Sequence, residues 1–238
     1  MELVFRDDAY ARACDAVVTA AGPAGVTLDR TVFYPTGGGQ PGDTGRLVDE
    51  SGAVFAVLPA VKGEGDSILH PLPEGIAPPR VGAKVRAEID WERRYRHMRM
   101  HTCLHLLSAI VTGGVTGGAV GEWKSRLDFD LPDPVLDKEA LDEALNALIR
   151  ADHAVAARWI DEAELDANPE LVRTMSVQPP RGAGRVRVLE IGAGVDLQPC
   201  GGTHVARTGE IGRVRVGKIE NKGRRNRRIN VHLEEEGA

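Results

Sequence analysis

The chain has 238 residues, and its 30 Lys and Arg against 35 Asp and Glu give a formal charge of −5. With 42% hydrophobic and 27% charged residues it sits near the globular average, which excludes a disordered or fibrous chain and leaves one ordinary domain or two small ones. Aromatics make up only 4%, too few for an aromatic stacking platform, and the acidic balance as a whole argues against a polyanion partner.

The first eight residues lack a basic segment followed by an apolar stretch, so no secretory signal is expected. No run approaches the ~20 apolar residues of a membrane span. Residues 1–90 read as β-rich. Short apolar runs such as Ala16-Val17-Val18 and residues 54–58 are separated by Gly, Pro and Asp clusters, the pattern of a small barrel or sandwich. Residues 85–90 alternate in character and read as a last strand. From Trp91 the chain turns helical: residues 101–111 contain no Gly or Pro, and Leu104, Leu107 and Val111 recur at helical spacing. Asp137 reads as the N-cap of a second helix whose buried face carries Leu141, Ala144, Leu145, Leu148 and Ile149. A short helical stretch near residues 161–166 precedes a return to strands over 185–233. The expectation is an α+β chain, with a small glycine-rich β-barrel domain over residues 1–90. An α+β domain with an antiparallel sheet and packed helices follows over residues 91–238.

Two short motifs carry the chemistry. His101-Thr102-Cys103-Leu104-His105 places two imidazoles one helical turn apart on one face, where both can reach one ion. In Cys200-Gly201-Gly202-Thr203-His204 the glycines free the backbone to turn, so that a thiolate and an imidazole converge. Together they offer a His/His/Cys/His set whose softness suits zinc. His97 lies a further turn back and reads as helix entry or support for the ligands. Cys103 points to another face and reads as a buried thiol. Three cysteines, Cys14, Cys103 and Cys200, cannot complete a disulfide framework, and they suit a reducing cytoplasm. Thr102 stands where an H-E-x-x-H protease has its glutamate base, which counts against a protease.

At these residues the sequence resembles the editing domain of alanyl-tRNA synthetase and its free-standing AlaX-type relatives. Residues 101–107 resemble the H-T-A-x-H-L-L helix of that family, with Cys103 in place of its alanine, and residues 196–205 resemble its C-G-G-T-H-V segment. Residues 208–212, and the stretches 28–35 and 37–43 near the N-terminus, extend the likeness over essentially the whole chain. The resemblance implies a zinc-dependent hydrolase that deacylates mischarged tRNA(Ala), seryl-tRNA foremost and glycyl-tRNA besides, in the cytoplasm and without ATP. It implies His101, His105, Cys200 and His204 as metal ligands, with Asp196 and Gln198 supporting them. His204 is either a permanent fourth ligand or a displaceable one. Thr31 and Gln40 are implied in the amino-acid pocket, and Gly37, Gly38 and Gly39 in the backbone approach to the tRNA 3′ end. An ATP-dependent synthetase is not expected, because the editing region fills the chain. A zinc hydrolase of another ester or amide, and a non-catalytic zinc-stapled tRNA-binding module, are the competing readings.

The charge is a sum over unlike parts. Residues 213–228 hold Arg213, Arg215, Lys218, Lys222, Arg224, Arg225, Arg227 and Arg228 against Glu220, that is 8 − 1 = +7, so the remainder carries −12. Under the resemblance Lys222, Arg224, Arg225, Arg227 and Arg228 are expected to contact phosphates near the tRNA acceptor end. The acidic total therefore excludes indiscriminate nucleic-acid binding, not a local tRNA-end site.

Overall fold

Residues 1–131, 136–175, 182 and 184–234 are described by the computed structural model, and the chain falls into two units, Met1–Tyr95 and Arg96–Ala238. In the first unit β1 (Glu2–Leu3) and the single-turn helix α1 (Val4–Asp7) lead into the long strand β2 (Ala13–Gly22). It is followed by β3 (Gly25–Leu28), β4 (Arg30–Thr31), β5 (Gly45–Asp49), β6 (Val54–Val57), β7 (Val61–Lys62), β8 (Ile68–Leu69) and β9 (Lys84–Ile89). An antiparallel sheet runs β3-β2-β9-β5-β6, while β1 pairs β4 in parallel and β7 pairs β8. The period of two predicted for β9 is plain: Val85, Ala87 and Ile89 face the core and Lys84 and Arg86 face solvent. Val18, Leu28, Phe33 and Leu47 fill that core.

The expected barrel is not closed. The outer strands β3 and β6 do not pair with each other, and the sheet remains open. A single bridge, Val26 to His70, meets β3, and Leu58 N donates to Pro71 O just beyond β6. Pro71, Pro73, Pro78 and Pro79 follow in the segment that would have to close the ladder, and proline has no N–H to donate to it.

Helix α2 (Trp91–Ile110) gives its first five residues to the first unit and the rest to the second. Arg99 is the one residue between His97 and Ser108 that is not buried, so no amphipathic stripe develops and polar side chains on this helix must find partners inside. Beyond it come β10 (Gly114–Ala119), β11 (Lys124–Asp130), α3 (Lys138–Arg150), β12 (Val155–Asp161), α4 (Glu162–Ala167), β13 (Arg185–Ile191), β14 (Asp196–Pro199), β15 (Val214–Asn221) and β16 (Asn226–Leu233). They form two antiparallel sheets, β10-β11-β16-β15 and β12-β13-β14. The Asp137 side chain accepts from Ala140 N and caps α3, whose Leu145 and Ile149 are buried. One turn of α3 also completes the edge of β15: Asn146 donates to Val214 O at 2.9 Å and accepts from Val214 N at 3.2 Å, and Asp142 accepts from Val216 N at 2.6 Å. A helix thus satisfies strand groups that would otherwise be open. Among the described residues no helix is long and apolar enough to cross a membrane.

Candidate metal centre

Helix α2 supplies His101 and His105, and the turn after β14 supplies Cys200 and His204. Their ligand atoms all lie within 4.8 Å of one another, close enough for one metal ion. Cys200 Sγ is 3.2 Å from His204 Nε2 and 3.7 Å from His101 Nε2. The three histidines are buried, with ring centroids 4.3–5.4 Å apart. The turn is held from behind by Arg187 of β13, which donates to Cys200 O at 2.7 Å and Gly202 O at 3.2 Å.

Two of the rings are oriented by their other nitrogen. His105 Nδ1 is 2.9 Å from Asp196 Oδ2, which leaves Nε2 to face the cluster. Asp196 is itself held: Gln198 Nε2 donates to its Oδ1 at 2.7 Å, and the Arg173 guanidinium lies 3.8 Å from the same oxygen. Gln198 also reaches Ser108 Oγ at 2.6 Å, Ser108 donates to His105 O at 2.9 Å, and Arg173 donates to Ser108 O at 2.6 Å. Thr102 donates its only proton to Met98 O at 2.9 Å, so towards His204 Nδ1, 3.2 Å away, it can only accept. His204 therefore carries its proton on Nδ1 and points an unprotonated Nε2 at Cys200. Thr102, Ser108, Arg173 and Arg187 were not singled out as supports of the site from the sequence. Only Thr102, next to a ligand, had a local signal that could have found it.

Burial opposes the Cys200 thiolate, yet the His101 and His204 imidazoles and the hydrogen bonds from His101 and His105 outweigh it and hold the thiol well below its ordinary range. Burial likewise opposes charge on His105, but Asp196 and Cys200 raise it to about 10. Burial pushes His204 down to about 3, which keeps it a neutral donor of an electron pair. Cys103 is fully buried and pushed up to about 12 by burial alone, an inert thiol beside a reactive one. His97 is buried as well and lies outside the ligand cluster.

Thr31 and Gln40 belong to the first unit, and both are buried. Thr31 Oγ1 lies 2.8 Å from His70 Nε2 and accepts from Phe33 N at 3.0 Å. Gly37 and Gln40 exchange backbone hydrogen bonds of 3.0 and 2.9 Å across a two-residue turn. Gly38 and Gly39 stand at φ 56° and 80° there, a conformation that favours glycine. The glycine segment is thus an ordered turn. Its far end is anchored by Asp43, which accepts from Tyr34 N at 2.6 Å and pairs with the fully buried Arg94. Arg94 also donates to Val32 O and Ala9 O, so every face of the ion pair is satisfied.

Known proteins and family models match most of the chain. Residues 186–230 match the family model of the threonyl and alanyl tRNA synthetase second additional domain, and residues 8–93 that of tRNA synthetases class II (A). The alanyl-tRNA editing protein AlaX-M of Methanosarcina acetivorans is 38% identical, over 96% of this chain and 97% of that protein. AlaX-M of Saccharolobus solfataricus is 34% identical over the same shares of both chains. The chain belongs to the AlaX-type alanyl-tRNA editing proteins. It is also 36% identical to the alanine–tRNA ligase of Pyrobaculum neutrophilum, over 91% of this chain and 25% of that enzyme. The AlaX-type likeness thus runs through both units.

The basic segment of this AlaX-type chain lies on the β15–β16 hairpin, and the structure divides its charges. Arg225 grips Asp130 with two bonds of 2.9 Å, and Arg228 grips Asp128, opposite it on β11, at 2.7 and 2.9 Å. Lys222 pairs with Glu220 at 2.8 Å, and Arg227 donates to the carbonyls of Gly223 and Asn226. Among the described residues Arg224 has no acidic partner.

Proposed function

We propose that this chain is a zinc-dependent trans-editing hydrolase that deacylates mischarged tRNA(Ala), seryl-tRNA(Ala) first and glycyl-tRNA(Ala) besides, in the cytoplasm. The observation that carries the reading is the convergence of His101, His105, Cys200 and His204 in a chain that covers nearly all of an alanyl-tRNA editing protein. One thiolate and three imidazoles are a donor set suited to zinc, and the Asp196 and Thr102 bonds present two of the rings with Nε2 towards the cluster. When bound, the metal polarises the ester carbonyl, activates water or orients the substrate amine.

The chain's own groups do the rest. Arg187 and Asp196 keep the ligands from moving as substrate enters. The Gly37–Gly39 turn offers a backbone approach for the terminal ribose, and Lys222, Arg224, Arg225, Arg227 and Arg228 offer positive charge for acceptor-end phosphates. Thr31 and Gln40 shape the amino-acid pocket. Such a second sieve is useful because a site built for alanine cannot strongly reject an added hydroxyl.

Seryl-tRNA(Ala), glycyl-tRNA(Ala) and alanyl-tRNA(Ala) incubated with the protein test this. Serine release is expected, lost with a chelator and restored by zinc, while alanyl-tRNA is spared. Binding without hydrolysis would instead support a zinc-stapled tRNA-binding module, and equal turnover of a simple ester would support a general zinc esterase.

A further inference from the structure

The sheet β12-β13-β14 presents an exposed aromatic side chain to which the proposed chemistry assigns no role. Trp159, on the outer strand β12, is 52% exposed, more than any other aromatic residue of the chain. Its place relative to the metal cluster follows from strand register. Trp159 stands opposite Arg187 of β13, and Cys200 N donates to Arg187 O at 3.1 Å, which sets Arg187 opposite Cys200. The three residues form one row across the sheet, and residues in such a row share a face. By the period of two, Gln198 and Asp196, which support the ligands, lie on that face as well. The opposite face is already covered: Ile160, Val186, Val188 and Leu197 pack there with Leu165 of α4. With neighbouring strands about 4.8 Å apart, the Trp159 backbone lies roughly 10 Å from that of Cys200.

An indole left in water forgoes the burial that a large apolar side chain normally gains. Trp123, the other exposed indole, is covered by the Arg96 guanidinium, 4.5 Å from its ring centroid. Trp91 is stacked on Tyr95 and covered by Arg12. Among the described residues no ring or guanidinium covers Trp159 in this way. Ala157, two residues back on the same face, is exposed and adds no bulk beside the indole.

We propose that Trp159 is a substrate-binding residue whose indole stacks on the adenine of the terminal adenosine while the ester lies at the metal cluster. The inference deepens the proposed function and rests on it. In an aminoacyl-tRNA the ester is made to the terminal ribose, so a single sugar separates the reacting carbonyl from the base. A stacking surface one residue removed from Cys200 on the same face suits that separation. The 4% aromatic content excludes a platform for a run of bases, but one base needs one ring. Because every tRNA ends in the same adenine, Trp159 supplies affinity and not the choice of tRNA.

The test uses the full-length, zinc-loaded protein. Trp159→Ala should raise KM for seryl-tRNA(Ala) about tenfold, the scale of one base–aromatic stack, with most of the effect in KM and little in kcat. Trp159→Phe keeps a ring and should retain most of the affinity, and zinc content should match the wild type in both variants. Two competitive inhibitors separate the base from the rest of the substrate: an adenosine bearing serine through a 3′ amide, and the same serylamino ribose without its base. Trp159→Ala should weaken inhibition by the first about tenfold and leave inhibition by the second at the wild-type value. Equal weakening of both inhibitors, an unchanged KM in Trp159→Ala, or no inhibition of the wild type by the adenosine compound overturns the proposal. If the wild type releases no serine from seryl-tRNA(Ala), the proposed function itself fails, and the role of Trp159 with it.

Discussion

Thr102 occupies the position next to the first ligand histidine, where an H-E-x-x-H enzyme has its general base. Here the residue has a different use: it donates to Met98 O, accepts from His204 and fixes which nitrogen of that ring is free. Asp196 does the same for His105. Supports of this kind tune the metal through the ligand they hold, so Asp196→Asn should lower zinc affinity about 10- to 100-fold while the melting temperature of the apo protein changes little. Cys200→Ala should abolish both stoichiometric zinc and deacylation; full activity in that variant without bound zinc would refute the metal assignment. The ligands themselves were legible in the sequence, because H-x-x-x-H on a helix and C-x-x-x-H at a glycine turn are local spacings. Arg173 and Arg187 were not, because an arginine at a distant position has no local sign of which carbonyl or carboxylate it will meet.

Among the elements, α3 shows how far periodicity reaches. Its N-cap follows from Asp137 and appears in the structure, but of the stripe expected from the three–four rhythm only Leu145 and Ile149 are buried, while Leu141 and Leu148 are half-buried and Ala144 is exposed. Asp137→Ala should cost about 1 kcal/mol, measured by denaturant unfolding, with deacylation unchanged. A loss of several kcal/mol would mean that Asp137 does more than cap. What the rhythm does not contain is the partner of its polar residues: Asn146 and Asp142 complete the edge of β15. Helix α2 is the opposite case. Its polar His101, Thr102 and His105 are as enclosed as its leucines, and a buried polar residue signals a site only once its partners are known. The open first sheet belongs here too. Short strands and turns were evident, but whether the ends of a sheet meet depends on a closing ladder, and the prolines after His70 deny it one.

For the whole molecule the net charge is a poor guide, since +7 is concentrated in sixteen residues of an otherwise acidic chain. The hairpin divides that charge, with Arg225 and Arg228 tied to Asp130 and Asp128 while Arg224 has no described acidic partner. Arg224→Gln should therefore weaken tRNA binding and reduce the log–log salt slope by about one, whereas Arg225→Gln, whose charge Asp130 already offsets, should change the slope less. Equal slopes in the wild type and Arg224→Gln would remove this arginine from the interface. By itself the sequence determined the α+β class, the change from strand to helix near Trp91, the two metal-binding motifs and, through their ordered likeness, the AlaX-type family. These rest on periodicity and short-range spacing, which a linear chain contains in full. Only the tertiary structure decided that the first sheet stays open, that the Gly37–Gly39 segment is a tight turn, that Thr31 is tied to His70, and that five of the eight basic residues of 213–228 are already in ion pairs. Apart from the turn, which Gly37 and Gln40 close locally, and the Lys222–Glu220 pair, these depend on groups tens of residues apart, whose hydrogen bonds and ion pairs exist only once the fold has brought them together.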